Sequence, residues 1–209
     1  MAAPERTEAG GADGVIKFTV AKRVVVPGLP GDEWERVEEI RSLLWRAGLV
    51  GHDPELDVGY GNISARRPDG GFVISGTQTG HKDRLGPGDY VIVDAWDFSS
   101  GSVDCRGACL PSSEALSHAA LYRRPEVGGV IHVHARRLWE AMARAGDLCT
   151  GENIPYGSRM LYNRLGELAL ERGNLPILVV ALGHQDGVFA AGTDLRQAYD
   201  AIMERARRI

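Results

Sequence analysis

Cysteine is scarce in this sequence, and long apolar runs and clustered positive charges are absent from it. Three cysteines among 209 residues are too few, and odd in number, for a disulfide framework, which favours a reducing compartment and hence the cytoplasm. No apolar run reaches the roughly 18 residues that a membrane span requires. A formal net charge of −4 provides no basic field for nucleic acid. We therefore expect neither a membrane nor a nucleic-acid partner.

The first residues, MAAPERTEAGGADG, also lack the apolar stretch of a secretory signal. We expect residues 1–14 to form a disordered tail and residues 15–209 to form one folded domain. Hydrophobic residues make up 44% of the chain and charged residues 25%, which is the balance of a globular domain with a real core.

Helical and strand patterns are mixed along the chain without strict alternation. Apolar residues recur at three- and four-residue steps in residues 32–48, which predicts a helix. Four further segments are predicted to be helices: 111–124, 136–146, 158–173 and 194–209. Short apolar or alternating runs predict strands within 59–76, 89–94, 127–135, 176–184 and 186–192. Several of these strands can pair as hairpins. We therefore expect an α/β fold, a single three-layer domain whose central, mostly antiparallel or mixed sheet is flanked by helices.

Two histidines stand one residue apart in the apolar run GGVIHVHARRLW. Strand side chains alternate between faces, so His132 and His134 project from one face and Val133 from the other. Two adjacent imidazoles suit a divalent transition metal, and His184, which follows another apolar strand, is the candidate third ligand. Three histidines leave a coordination position open for substrate. The alternative is that these histidines are ordinary hydrogen-bonded core residues.

Small polar residues collect at three predicted element ends. Glu114 follows two serines at a helix start, where backbone N–H groups and the helix dipole favour anions, although helix capping explains the same residues. Ser112 and Ser113 are candidates to hold a phosphate or carboxylate, and Glu114 is a candidate to transfer a proton. Loops at 61–64 and 75–77 add neutral donors and glycines that allow close approach, with the candidate residues Asn62, Ser75, Gly76 and Thr77.

These pieces occur in a fixed order along the chain: GNIS, ISGT, PSSE, HVH and GH. In this combination the sequence resembles the class II aldolase/adducin family, from about Glu33 to the C-terminus. The resemblance implies that His132, His134 and His184 bind zinc or a related divalent metal and that Glu114 transfers protons. It also implies a homotetramer with four-fold symmetry, active sites at subunit boundaries, and a phosphate cradle that includes Asn62, Ser75, Gly76, Ser112 and Ser113.

Two features depart from the family's pattern. The segment TQTGHKDRLGPGD replaces a different short turn of the sugar-phosphate enzymes, and the tyrosine-bearing C-terminal tail of some relatives is expected to be absent. Tyr156, in NIPYGS, is the candidate replacement for a proton donor that reaches a neighbour's site. A loop aromatic at a subunit interface is the alternative interpretation of Tyr156.

The expected activity is that of a carbon–carbon lyase of the aldol type. It would act on a small hydroxy-carbonyl, sugar-like substrate, with or without a phosphate, through a metal-stabilised enediolate. An epimerase, a dehydratase or a decarboxylase can use the same site, and three histidines can also hold iron in an oxygenase. An adducin-like binding module without chemistry is the alternative from another class. The expected metal is Zn²⁺, although this ligand set also accepts Mn²⁺, Co²⁺, Ni²⁺ or Fe²⁺.

Overall fold

The computed structural model describes residues 16–209, and the expected tail of residues 1–14 lies outside the described part. The described residues form ten strands and five helices. The strands are β1 (Thr19–Val24), β2 (Gly51–Asp53), β3 (Val58–Tyr60), β4 (Asn62–Arg66), β5 (Phe72–Ser75), β6 (Tyr90–Asp97), β7 (Ser102–Gly107), β8 (Gly129–His134), β9 (Ile177–Val180) and β10 (Gly187–Gly192). The helices are α1 (Gly31–Arg46), α2 (Ala115–Leu121), α3 (Arg136–Ala145), α4 (Arg159–Glu171) and α5 (Leu195–Arg207).

Eight of these strands form one sheet in the order β1-β7-β6-β5-β4-β8-β10-β9. Neighbouring strands are antiparallel except β1 and β7, which are parallel. Strands β2 and β3 form a separate hairpin. The predicted mostly antiparallel or mixed sheet is therefore confirmed. The sequence patterns do not reveal β1, β2 or β7, because β1 is largely exposed, β2 has three residues, and β7 interleaves charged with apolar side chains.

Helices cover both faces of the sheet, which confirms the three-layer arrangement. Helices α2 and α4 pack over one face, where the core includes Phe72 and Phe189. Helices α1, α3 and α5 cover the other face, where the core includes Ile63. Successive residues of β8 alternate between the two cores, since Val130 belongs to the first and Ile131 to the second. Strand β8 therefore lies in the middle of the molecule, with a core on each side.

The absences in the sequence have direct counterparts in the structure. All three cysteines are free thiols: Cys105 is buried, whereas Cys109 and Cys149 are half-buried. Within residues 16–209, no helix combines the length and the apolarity needed to cross a bilayer.

Candidate functional site

The three predicted histidine ligands come together beside the end of β8. His132 and His134 belong to β8, and His184 lies in the turn that joins β9 to β10. One candidate ligand nitrogen of each ring lies within 4.8 Å of the other two. The centroids of the three rings are 4.8 to 5.1 Å apart. Val133, between the first two, packs in the opposite core, so the alternation predicted for this strand is observed.

The environment of His132 leaves one of its nitrogens available as a ligand. The residue is 1% exposed, and Nδ1 lies 3.3 Å from the carbonyl oxygen of Val188. A carbonyl only accepts, so Nδ1 carries the hydrogen and Nε2 carries the lone pair. Nε2 is buried and makes no hydrogen bond within the described residues. Burial, and then the neighbouring His184 and His134, hold the pKa of His132 well below its usual range, so the ring is neutral.

A divalent transition metal fits these residues. Imidazole nitrogens are common ligands of zinc and its neighbours, and metal binding requires the neutral ring that burial enforces at His132. The ring of His132 is also fixed in orientation, because Phe189 stacks on it with 4.1 Å between centroids and 18° between planes. The buried Nε2 atom has a lone pair that a cation would satisfy.

Glu114 lies at the start of α2, in the same cleft as the histidines. It is 1% exposed, and both carboxylate oxygens are buried. Its backbone N–H donates to Oγ of Ser112 at 3.3 Å. Helix α2 begins only at Ala115, so the two serines precede its first turn rather than forming it. The N–H of Ser112 donates to the carbonyl of Ser75 at 3.1 Å, which attaches the serine segment to the end of β5.

A cleft of about 400 Å³ collects almost the whole predicted site. The exception is Ser75, which lies behind the cleft and accepts a hydrogen bond from the N–H of Ile63 at 3.3 Å. Asn62 lines the cleft, and its buried Oδ1 has no hydrogen-bond partner within the described residues. The other predicted residues that line the cleft are Gly76, Thr77, Ser112, Ser113, Glu114, His132, His134, Tyr156 and His184.

The structure places Tyr156 in the cleft of its own chain. Its hydroxyl makes a short hydrogen bond with Oγ of Ser113, and its ring centroid lies 4.6 Å from that of His184. Lys17 donates to the Tyr156 carbonyl at 2.7 Å and lies over the ring. Gly183 allows this arrangement, because a side chain there would meet the carbonyl oxygen of Ile154 at 2.2 Å. Tyr156 therefore needs no neighbouring subunit to approach the histidines.

Part of the cleft lining is not among the residues that the sequence predicts. Tyr60 contacts one of the three clustered histidines directly, with its ring centroid 5.6 Å from that of His134. The signal available in the sequence was its position next to the GNIS segment. The additional lining residues are Gly59, Tyr60, Gly61, Gln78, Thr79 and Gly80.

The remaining histidines lie outside the cleft lining. His118 is fully buried behind it, where Nδ1 lies 2.7 Å from Oγ of Ser64. Burial lowers the pKa of His118 to about 3, so this ring is a neutral core residue. His81 is exposed, and its Nδ1 lies 3.1 Å from the carbonyl of Gln78. His52 pairs with Asp57 on the β2–β3 hairpin.

Comparison with known proteins identifies relatives of this chain and solved structures with the same fold. An L-ribulose-5-phosphate 4-epimerase from Salmonella paratyphi C is 30% identical over 169 residues, which cover 68% of each chain. A methylthioribulose-1-phosphate dehydratase from Marinobacter nauticus is 41% identical over 75 residues, 35% of this chain and 33% of that protein. An L-fuculose-1-phosphate aldolase from Thermus thermophilus has the same fold, with a TM-score of 0.60 and 20% identity over 86% of this chain and 92% of that one.

The family described as "Class II Aldolase and Adducin N-terminal domain" matches residues 42–208. This range runs from α1 to the end of α5 and includes every residue of the candidate site. The chain belongs to the class II aldolase and adducin family.

Proposed function

We propose that the protein is a divalent-metal-dependent lyase of the aldol type, acting on a small, sugar-like hydroxy-carbonyl substrate with an anionic end. One observation carries this proposal: His132, His134 and His184 converge in the cleft that also contains the buried carboxylate of Glu114. These three histidines would hold the metal, for which we propose Zn²⁺. When bound, such a cation supplies Lewis-acid polarisation of a substrate carbonyl and stabilises negative charge on oxygen.

Proton transfer is the proposed role of Glu114 and Tyr156. Aldol cleavage removes a proton from a substrate hydroxyl, breaks the adjacent C–C bond and leaves the bonding electrons on an enediolate fragment. Tyr156 would exchange the proton at the hydroxyl oxygen, and Glu114 would protonate the carbon of the enediolate fragment. Both groups are buried beside the histidines, since Glu114 is 1% exposed and Tyr156 is 7% exposed.

Substrate binding is the proposed role of the neutral donors in the cleft. Asn62, Thr77, Ser112 and Ser113 provide amide and hydroxyl groups in the same cleft as the histidines, and Gly76 allows the chain to approach closely. Gly76 is itself tightly packed, since a side chain there would meet Sγ of Cys109 at 2.5 Å. These donors would hold the anionic end of the substrate.

Epimerisation is the second candidate, because the Salmonella relative is an epimerase and matches over 68% of the chain. Incubation with L-fuculose 1-phosphate and L-ribulose 5-phosphate separates the two reactions by their products. Cleavage into two shorter carbonyl compounds supports the lyase. Conversion into a stereoisomer of unchanged mass supports the epimerase.

Metal content tests the histidine assignment. We expect about one zinc, manganese or iron ion per chain in the wild type, by elemental mass spectrometry, and none in the double variant His132→Ala, His134→Ala. The variant His118→Gln, which changes a histidine outside the cleft, is the control and should retain the metal. A wild type that stays metal-free after incubation with divalent ions would favour an adducin-like binding module.

Substitution of Glu114 tests its role in turnover. In Glu114→Gln we expect unchanged metal content and a loss in kcat of about 10²–10⁴-fold, because the amide cannot exchange a proton. The control is Glu126→Gln, since Glu126 lies on the surface in an ion pair with Arg124. Full activity in Glu114→Gln would remove this residue from the mechanism.

The proposed assembly is a homotetramer with active sites at subunit boundaries, in line with the resemblance to the family. Sedimentation equilibrium of the full chain measures the assembled mass. A monomer that turns over substrate would contradict this part of the proposal.

A further inference from the structure

One wall of the cleft is a loop that contributes no charged side chain to the lining. Thr77, Gln78, Thr79 and Gly80 line the cleft, and no lysine or arginine does so within the described residues. The loop turns sharply at Gln78, whose φ of 56° lies in the left-handed region that non-glycine residues seldom occupy. Such a conformation persists only where surrounding contacts enforce it.

A buried arginine supplies one set of these contacts. Arg41, on the sheet-facing side of α1, is 3% exposed. Its guanidinium donates to the carbonyl of Asp83 at 2.9 Å and to the carbonyl of Thr79 at 3.4 Å. Buried guanidinium groups are costly and usually pair with carboxylates, whereas both acceptors here are backbone carbonyls of residues in or beside the loop. Arg41 is thus joined directly to the backbone of the cleft wall.

Hydrogen bonds within and beside the loop engage carbonyl oxygens that would otherwise repel an anion. Arg41 engages the carbonyls of Thr79 and Asp83, and Oγ1 of Thr79 donates to the carbonyl of Gly76 at 2.8 Å. In contrast, the N–H groups of Thr79 and Gly80 donate to no atom of residues 16–209. A turn with occupied carbonyls and available N–H groups favours a bound anion.

The charge of Arg41 is offset by the carboxylates around it. Burial lowers the pKa of Arg41, yet a guanidinium stays protonated in proteins. The carboxylates of Glu38, Asp83 and Asp89 lie near enough to interact with it, and that of Glu38 also accepts hydrogen bonds from Ser42, the N–H of Leu85 and the hydroxyl of Tyr90. Arg41 therefore acts on the loop through its hydrogen bonds to the two carbonyls and not through a net positive charge.

We propose that Arg41 is a positioning residue that holds the loop of residues 76–83 in an anion-binding conformation. This inference rests on the proposed function only in assuming that the substrate has an anionic end. It assigns the arrangement of the binding loop to a residue outside the cleft.

Titration of the full-length, metal-loaded protein with inorganic phosphate tests the inference by calorimetry. We expect the dissociation constant for phosphate to rise about tenfold or more in Arg41→Gln. This is the effect expected when a hydrogen bond to a charged group is lost. Arg41→Lys keeps the charge but loses the second donor, so its dissociation constant should lie between those of Arg41→Gln and the wild type. Because phosphate also binds metal ions, only variants with the wild-type metal content are compared.

Glu38→Gln is the matched control. Glu38 is buried on the same helix and contacts the same stretch of chain through Leu85, without a hydrogen bond to residues 76–83. We expect Glu38→Gln to lower thermal stability and to leave phosphate affinity within about twofold of the wild type. Equal losses of phosphate affinity in Glu38→Gln and Arg41→Lys would show a general packing effect and overturn the assignment.

The result is distinguishable from a failure of the proposed function. If the wild type binds phosphate in an Arg41-dependent way but cleaves no sugar phosphate, the inference stands and the lyase proposal fails. If the wild type binds no phosphate, or if Arg41→Gln binds it as tightly as the wild type, the positioning role is overturned. With an active substrate, Arg41→Lys should raise KM and leave kcat unchanged, whereas an unchanged KM would contradict a positioning role.

Discussion

Two buried histidines on the same side of the sheet, one in β8 and one in α2, meet different neighbours. His132 and His118 are both fully buried, and burial lowers the pKa of each. His132 meets two other imidazoles, whereas His118 meets Oγ of Ser64, which in turn lies 2.8 Å from the hydroxyl of Tyr122. The difference between a candidate ligand and a core residue therefore lies in the neighbours and not in the burial.

His118 makes the stability of the protein depend on pH. Its pKa is about 3 in the folded chain against an ordinary value of 6.5, so below pH 6.5 the unfolded chain binds a proton that the folded chain does not. The contribution is fully present above pH 6.5 and is lost as the pH falls toward 3. We expect a slope of up to ~1.4 kcal/mol per pH unit in the free energy of unfolding.

Urea unfolding of the wild type and His118→Gln, above and below pH 6.5, measures this contribution. The advantage of the wild type over the variant should shrink at the lower pH, because glutamine does not titrate. If the difference in the free energy of unfolding between wild type and variant is the same at both pH values, His118 has the same pKa in the folded and the unfolded chain.

At the scale of elements, the cleft depends on chain segments whose backbones approach each other closely at glycine residues. The loop of residues 76–83 approaches the β2–β3 hairpin so closely that a side chain at Gly80 would meet the carbonyl oxygen of Gly51 at 1.8 Å. The same loop is attached to β3 by the N–H of Gly59, which donates to Oε1 of Gln78 at 3.1 Å. The small hairpin and the loop therefore behave as one wall of the cleft.

Gly80→Ala should separate the hairpin from the loop. The overlap with backbone is not relieved by a rotamer change, so we expect a loss of about 1–3 kcal/mol in the free energy of unfolding and weaker phosphate binding. Gly173→Ala is the control, because nothing lies within 4 Å of a side chain at Gly173. Equal thermal midpoints for the two variants would contradict the close packing at Gly80.

The cleft shows which elements a sequence can reveal. The alternation of β8 predicts the shared face of His132 and His134 because a strand's periodicity is local. The conformation of the loop at 76–83 depends on Arg41, which is distant in sequence and lies on the apolar stripe of α1, so no local pattern points to it. Ser75 has a residue type that suits a phosphate-binding loop, but its hydroxyl accepts a hydrogen bond from the backbone N–H of Ile63.

At the scale of the whole molecule, one strand separates a structural face from a functional face. Ile131 of β8 is fully buried against the α1 and α5 layer, whereas His132 faces the α2 layer and the cleft. Damage to the core around Ile131 should therefore lower stability without separating the three histidines. The eight-stranded sheet is the common support of both.

Ile131→Ala tests this separation. Removal of a fully buried isoleucine should cost about 2–5 kcal/mol in the free energy of unfolding, measured by urea denaturation. The metal content of the folded variant should equal that of the wild type. Loss of metal from a variant that remains folded would show that the two faces are coupled.

The position of the histidines on β8 has a consequence for folding errors. Strand side chains repeat every two residues, so a slip of β8 by one residue against β4 and β10 would exchange its two faces. Ile131 and Val133 would then face the cleft, and the imidazoles would enter the opposite apolar core, where neutral or charged rings lack partners. A misregistered molecule would thus lose its core and its three-histidine cluster in the same event, so chains that reach the compact state also have their candidate ligands in place.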